Sequence, residues 1–236
     1  MRAALSKMLL FGLGLIAVVA GCARPLTPNE RALAQEVFGD SFDPDPVRVR
    51  IGVGLAALPA QAPSDGRAAR LAEKTEQDGG RPAPVSGKDI PNDACDRVAT
   101  PDAVGWRFPA GFVLGNQVFL VRAAYRPDMF AGWPVALPMA QSLLMAHELV
   151  HVWQYQNRAR TGFTTLKSGA ESFREGDPYY WPDKGHKTLL AFNFEAQATI
   201  VEDYLCYSLL LPDHPKRAEL AALIGDTLPV TRNFGP

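Results

Sequence analysis

The chain has 236 residues, 47% of them hydrophobic, enough for one sizeable core. Its 24 Lys and Arg balance 25 Asp and Glu to a net charge of −1 with His neutral, which excludes the basic footprint of a nucleic-acid-binding protein. The elements below predict an α+β domain in which a small hairpin or sheet packs on two long helices.

Arg2 and Lys7 make a positive start, and Met8 to Ala20 is an apolar run shorter than the ~18–20 residues a spanning helix needs. Val19-Ala20-Gly21-Cys22 follows as a lipobox, so residues 1–21 read as a lipoprotein signal peptide and Cys22 as the lipidated N-terminus. With Ala23-Arg24 and no Asp behind the cysteine, the expected address is the outer membrane facing the periplasm, or the cell surface. Residues 22–26 read as a tether, and 27–236 as a single domain with a loop-like insert at about 61–93.

Thr27-Pro28-Asn29-Glu30 is a capping-box pattern that opens a helix to about Phe38, stopped by Gly39. Val47 to Ile51 alternates apolar and basic residues as a half-exposed strand does. Cys95 lies in a loop-like stretch and Cys206 on a later helix; in an oxidising compartment the two are expected to pair, the alternative being two free thiols. Phe112-Val113-Leu114 and Gln117 to Val121 flank Gly115-Asn116, a two-residue hairpin signal. A strand of this kind can hold an extended peptide by backbone pairing, or be an ordinary structural hairpin.

Pro138 opens a helical run with no internal Gly or Pro until Gly162. It contains His147-Glu148-Leu149-Val150-His151, an H-E-x-x-H element. Histidines four apart share a helix face, so both rings can reach one ion, and Glu148 beside them can take a proton from water on that ion. The reading is a Zn²⁺ site of metallopeptidase type. The bland alternative is a buried helix whose histidines are satisfied by hydrogen bonds. Gln154, one turn on, can hydrogen-bond near the metal or serve packing.

Residues 161–187 carry enough Gly and Pro to preclude a long helix, and Tyr179, Tyr180 and His186 lie in a loop that could fold over the site. The aromatic group Phe173, Tyr179, Tyr180 and Trp181 reads as core packing or a binding surface. A second long helix is expected from Thr188 to Leu211, ended by Pro212, and a short one over Pro215–Ile224. Catalytic zinc usually takes three protein ligands and a water. Glu195 is the first choice for the third ligand, since a carboxylate among apolar neighbours is costly to bury unless paired or metal-bound. Glu171, 20 residues after His151, and His186 are its rivals. Thr199, Glu202, Asp203 and Cys206 extend a stripe that could support the histidines.

The runs His147 to Gln154 and Phe194 to Tyr204 resemble a group of bacterial zinc peptidases with an H-E-x-x-H-x-x-Q helix and a later E-x-Q-A helix. Some members are Vgr-related, and a related domain occurs with contractile injection systems. Leu26 to Asp40, Val47-Arg48-Val49 and Tyr125-Arg126-Pro127-Asp128 share the resemblance. It implies a gluzincin-like fold, His147, His151 and Glu195 as zinc ligands, and Glu148 as general base. It brings no substrate. Many gluzincins carry an Asp four residues after the ligand Glu; here that position is Thr199, so support falls to Glu202 or Asp203. Three functions remain open: a lipid-anchored peptidase acting on an unidentified peptide or protein, a scaffold whose zinc is structural with His186 or Asp203 as fourth ligand, and a processing enzyme dedicated to one partner.

Overall fold

The computed structural model describes residues 23–51, 83–84, 95, 110–122, 124–133, 136–174, 178–182 and 184–230. The signal segment, Cys22 and almost all of the 61–93 insert lie outside these residues.

The described chain opens on β1 (Ala23–Arg24) and α1 (Pro28–Phe38). The Thr27 hydroxyl accepts from the Glu30 amide while the Glu30 carboxylate accepts from the Thr27 amide at 2.8 Å, which satisfies two orphan donors of the first turn. Gly39, at φ 56°, ends the helix. There follow β2 (Arg48–Ile51), β3 (Ala83–Pro84), β4 (Gly111–Leu114), β5 (Gln117–Leu120) and β6 (Ala136–Leu137). Five helices come after them: α2 (Met139–Gln156), α3 (Arg158–Thr161), α4 (Thr165–Arg174), α5 (Phe194–Leu210) and α6 (Pro215–Ile224).

β4 and β5 form the hairpin around Gly115-Asn116, with Gly115 at φ 63° as a turn of this type requires. The sheet order is β1-β2-β5-β4, with β2 and β5 parallel and the outer pairs antiparallel. β3 and β6 make a separate two-stranded pair. α2 packs along α5 and lies against β4 and β5, so one core runs from Val49 and Val118 of the sheet through Leu149 and Trp153 to Ile200 and Tyr204. The molecule is of α+β class, and among the described residues no helix is long and apolar enough to cross a membrane.

Three elements differ from expectation. Ala23 and Arg24, read as part of a tether, are strand residues. The Arg24 guanidinium donates to both oxygens of the fully buried Glu30, at 2.6 and 2.7 Å, and also to Tyr125 and the Arg126 carbonyl. α4 forms across Gly169, where no helix was expected. α5 begins at Phe194 rather than Thr188 because Asn193 caps it, its side chain accepting from the Ala196 amide at 2.7 Å, and Leu189–Ala191 is a separate 3-10 turn.

Cys95 and Cys206 are joined by a disulfide with Cα atoms 5.6 Å apart and 111 residues between them in sequence. A bridge closing a loop of that size stabilises by about 2–5 kcal/mol. Cys95→Ser with Cys206→Ser is expected to lower the unfolding free energy by that much in urea titration; an unchanged midpoint would show the bridge to be dispensable.

Candidate metal centre

α2 has 18 residues without Gly or Pro, and His147, Glu148 and His151 are all buried on it. Glu195 is the second residue of α5, where the dipole of the helix N-terminus favours a carboxylate. Packing of α2 on α5 brings the three ligand candidates together. His147 Nε2 and His151 Nε2 each lie 3.2 Å from the same oxygen, Oε2 of Glu195. The three donor atoms are mutually within 4.8 Å.

Neighbouring groups fix how each ring is turned. Gln197 Nε2 donates to the Phe192 carbonyl at 2.7 Å, so its oxygen faces Gln154. Gln154 Nε2 donates to that oxygen at 3.0 Å and to the Phe194 carbonyl at 3.1 Å. Gln154 Oε1 is therefore an acceptor, and His151 Nδ1, 2.8 Å away, donates to it. On the other ring, His147 Nδ1 donates to Glu202 Oε2 at 3.2 Å. With both Nδ1 atoms committed as donors, both Nε2 atoms face Glu195. In neutral rings these are lone pairs aimed at a carboxylate oxygen, a repulsive arrangement that two extra protons or one cation resolves.

The donor set fits zinc. Atoms 2.0–2.1 Å from a tetrahedral ion lie roughly 3.3 Å from one another, close to the observed histidine–carboxylate spacing. Two imidazoles and a carboxylate form a ligand set of catalytic zinc sites. No fourth candidate ligand joins the cluster among the described residues.

Electrostatics without an ion follow from the same contacts. Burial opposes charge on His147, but its hydrogen bonds to Glu195 and Glu202 outweigh that and lift its pKa to about 10. His151 is also raised, burial being outweighed by the Glu195 charge. Burial alone would raise Glu195; the charge of His151 and the hydrogen bonds from both rings hold it well below the usual carboxylate range. Near neutral pH the metal-free His147 ring is thus protonated and His151 is shifted toward its protonated form, so metal uptake must displace protons. Calorimetry in buffers of different ionisation enthalpy is expected to show that release, with zinc affinity climbing as pH rises; no proton release would contradict the charged metal-free state.

Glu148 is 3% exposed, and its Oε2 has no hydrogen-bond partner among the described residues. Burial pushes its pKa up, the two histidine charges pull part of that back, and it comes to rest at about 7. Gly111 of β4 makes room for it: a Cβ there would stand 2.6 Å from Glu148 Oε1. The Glu148 carboxylate thus lies directly against β4, the last strand of the sheet among the described residues.

The other sequence candidates fall elsewhere. Glu171 Oε2 accepts from the Phe194 amide at 2.9 Å, capping the helix that carries Glu195. His186 is exposed and packs edge-on against Phe192, with ring centroids 4.8 Å apart. Asp203 accepts from the buried Trp181 indole at 2.9 Å, so Trp181 belongs to the core. Thr199 is buried, and its hydroxyl makes no hydrogen bond among the described residues. Support for His147 comes from Glu202, seven residues after Glu195 on the same helix face. Tyr179 does reach the site, its ring centroid 5.8 Å from that of His147.

Two contributors were missed. Ser168 of α4 donates to Glu195 Oε1 at 3.2 Å, which leaves Oε2 to face the histidines; a serine in a Gly-containing stretch gives no sequence signal for that. Gly111 did carry one, since Gly within a strand marks close approach of another group. Gln154→Ala breaks the chain that orients His151 and is expected to weaken zinc binding 10- to 100-fold; competition against a zinc chelator measures it, and unchanged affinity would reduce Gln154 to packing.

No protein-family model matches the chain. The type VI secretion system spike protein VgrG2b of Pseudomonas aeruginosa is 35% identical over 74 residues, 31% of this chain and 7% of that protein. Over that stretch the chain is similar to a Vgr protein. The chain thus spans a small fraction of its relative's length. The solved effector domain of Pseudomonas aeruginosa VgrG2b aligns over 94% of this chain and 98% of that domain, at 20% identity and TM-score 0.49.

Proposed function

We propose that this chain is a lipid-anchored zinc peptidase, with His147, His151 and Glu195 as the residues that would hold the ion and Glu148 as general base. The unpartnered Glu148 oxygen beside three converging donors carries this reading. A carboxylate buried without a partner is costly, and a water between it and an ion relieves that cost. When bound, zinc lowers the pKa of water to about 7 and polarises a carbonyl.

The chain's own groups do the rest. Glu148, buried beside the donor cluster, takes the proton from the attacking water and returns it to the leaving amine. Gln154 and Glu202 hold the two rings in their metal-facing tautomers. Tyr179, packed on His147, brings a phenol beside the cluster as the donor to the developing oxyanion. Among the described residues β4 ends the sheet order, and it lies against Glu148, so an extended peptide can pair along it with its carbonyl near the base. Having three candidate ligands rather than four among the described residues favours this over a structural zinc. Similarity to a spike protein supports a link to secretion systems, while the signal segment and lipobox support delivery of this chain to the outer membrane by its own export.

The test is zinc-dependent hydrolysis of a peptide library by the purified lipoprotein, read by mass spectrometry. Cleavage that chelator removes and zinc restores supports the proposal. A zinc-loaded protein that cuts neither the library nor denatured periplasmic proteins supports the scaffold reading instead.

A further inference from the structure

Ala23 and Glu148 lie at the same end of the sheet. β1 begins at Ala23, one residue after Cys22, and Arg24 is locked to the buried Glu30. A lipid on Cys22 is therefore attached to the folded domain with no intervening linker. Ala23 pairs with Arg50, Arg50 with Phe119 and Phe119 with Phe112, in one row across the sheet. The next row holds Ile51, Leu120 and Gly111. Gly111 touches Glu148. Three inter-strand spacings separate β1 from β4, about 14 Å. Adding one residue of chain and the reach from Gly111 to the carboxylate puts Glu148 roughly 20 Å from Cys22. The height of the site above the bilayer cannot exceed that distance. This end of the sheet also suits a lipid surface: Ile51 is 37% exposed, and the exposed Arg122 lies two residues beyond Leu120, the partner of Ile51.

We infer that the protein sits flush on an anionic bilayer through the Ile51 and Arg122 end of its sheet, and that its substrate is the juxtamembrane segment of another bilayer-anchored polypeptide. This rests on lipidation of Cys22 and on the peptidase reading. A site fixed at this height meets extended chain about six residues from its own anchor, at roughly 3.3 Å per residue.

The experiment uses the lipidated protein in phosphatidylethanolamine–phosphatidylglycerol vesicles containing bromine-labelled lipid. A fluorophore is placed at Ile51→Cys or, as a remote control, at Leu114→Cys at the other end of β4. Quenching at 51 is expected to exceed that at 114 by threefold or more, and to fall to the level at 114 when a 20-residue Gly-Ser segment is inserted between Cys22 and Ala23. Equal quenching at the two positions, unchanged by the insert, overturns flush seating. Random-sequence peptides lipid-anchored to the same vesicles are expected to be cut mainly within about ten residues of the anchor. Cuts spread evenly along them overturn the substrate class. An N-terminal peptide without a diacylglyceryl group, by mass spectrometry, overturns the anchor and this placement together while leaving the zinc site standing. Loss of zinc binding would instead remove the peptidase and leave the seating intact.

Discussion

Replacing Glu195 with alanine is expected to take zinc from about one ion per chain to near none, whereas Glu171→Ala keeps the ion. Both carboxylates lie near the start of α5, and in sequence they were rivals for one role. The geometry separates them. Glu195 Oε2 faces both Nε2 atoms at 3.2 Å, while Glu171 Oε2 is occupied by the Phe194 amide. Losing Glu195 leaves two imidazoles with no third protein ligand in the cluster among the described residues. Losing Glu171 removes a helix cap, which costs about 0.5–2 kcal/mol of stability without deleting a donor. Metal analysis after dialysis decides it, alongside a thermal melt that confirms folding. Zinc retained by Glu195→Ala and lost by Glu171→Ala would reverse the assignment.

Glu148→Gln is expected to keep zinc and lose 100- to 10,000-fold in kcat/KM on any peptide the protein cuts, the range for removing a general base. The glutamine preserves shape but cannot accept the proton. Gly111→Ala should produce a comparable loss by a different route. Its Cβ would stand 2.6 Å from Oε1 and 2.9 Å from the carboxylate carbon, and β4 is held by its pairing to β5, so the side chain of Glu148 must move. Zinc content is expected to stay unchanged, because Gly111 borders the base and supplies no ligand. A fully active Gly111→Ala would show that the close approach of strand and carboxylate does not matter to the reaction. An active Glu148→Gln would remove Glu148 from the mechanism.

The parts legible in the sequence are those written in local chemistry. The Thr27–Glu30 capping box, the Gly115-Asn116 turn and the proline-opened helices each depend on a few adjacent residues, and each forms where its pattern places it. The H-E-x-x-H spacing implied one shared helix face and nothing about what would meet it. What stayed hidden depends on residues far apart in the chain. The parallel pairing of β2 with β5 joins segments more than sixty residues apart, Arg48 to Gln117, and no local pattern encodes it. The chain of amides from His151 through Gln154 and Gln197 to the Phe192 carbonyl forms only once α2 and α5 are packed. The Gly and Pro residues of 161–187 hide α4 in the sequence, and Gly169 within it lowers helix propensity by roughly 1 kcal/mol relative to Ala. Its contacts offset that loss, since Ser168 and Glu171 both bind the first turn of α5. The tether expected at 22–26 is replaced at Ala23 by a strand because Arg24 finds a buried carboxylate six residues on, a pairing that composition does not reveal.

Zinc-edge X-ray absorption on the zinc-loaded protein reads out whether these three side chains make an open zinc site. The expected shell is four-coordinate zinc with two imidazole nitrogens and two oxygens at about 2.0–2.1 Å, one of the oxygens from water, and no sulfur. A third imidazole in the shell, a sulfur ligand, or a protein that takes up no zinc would contradict it.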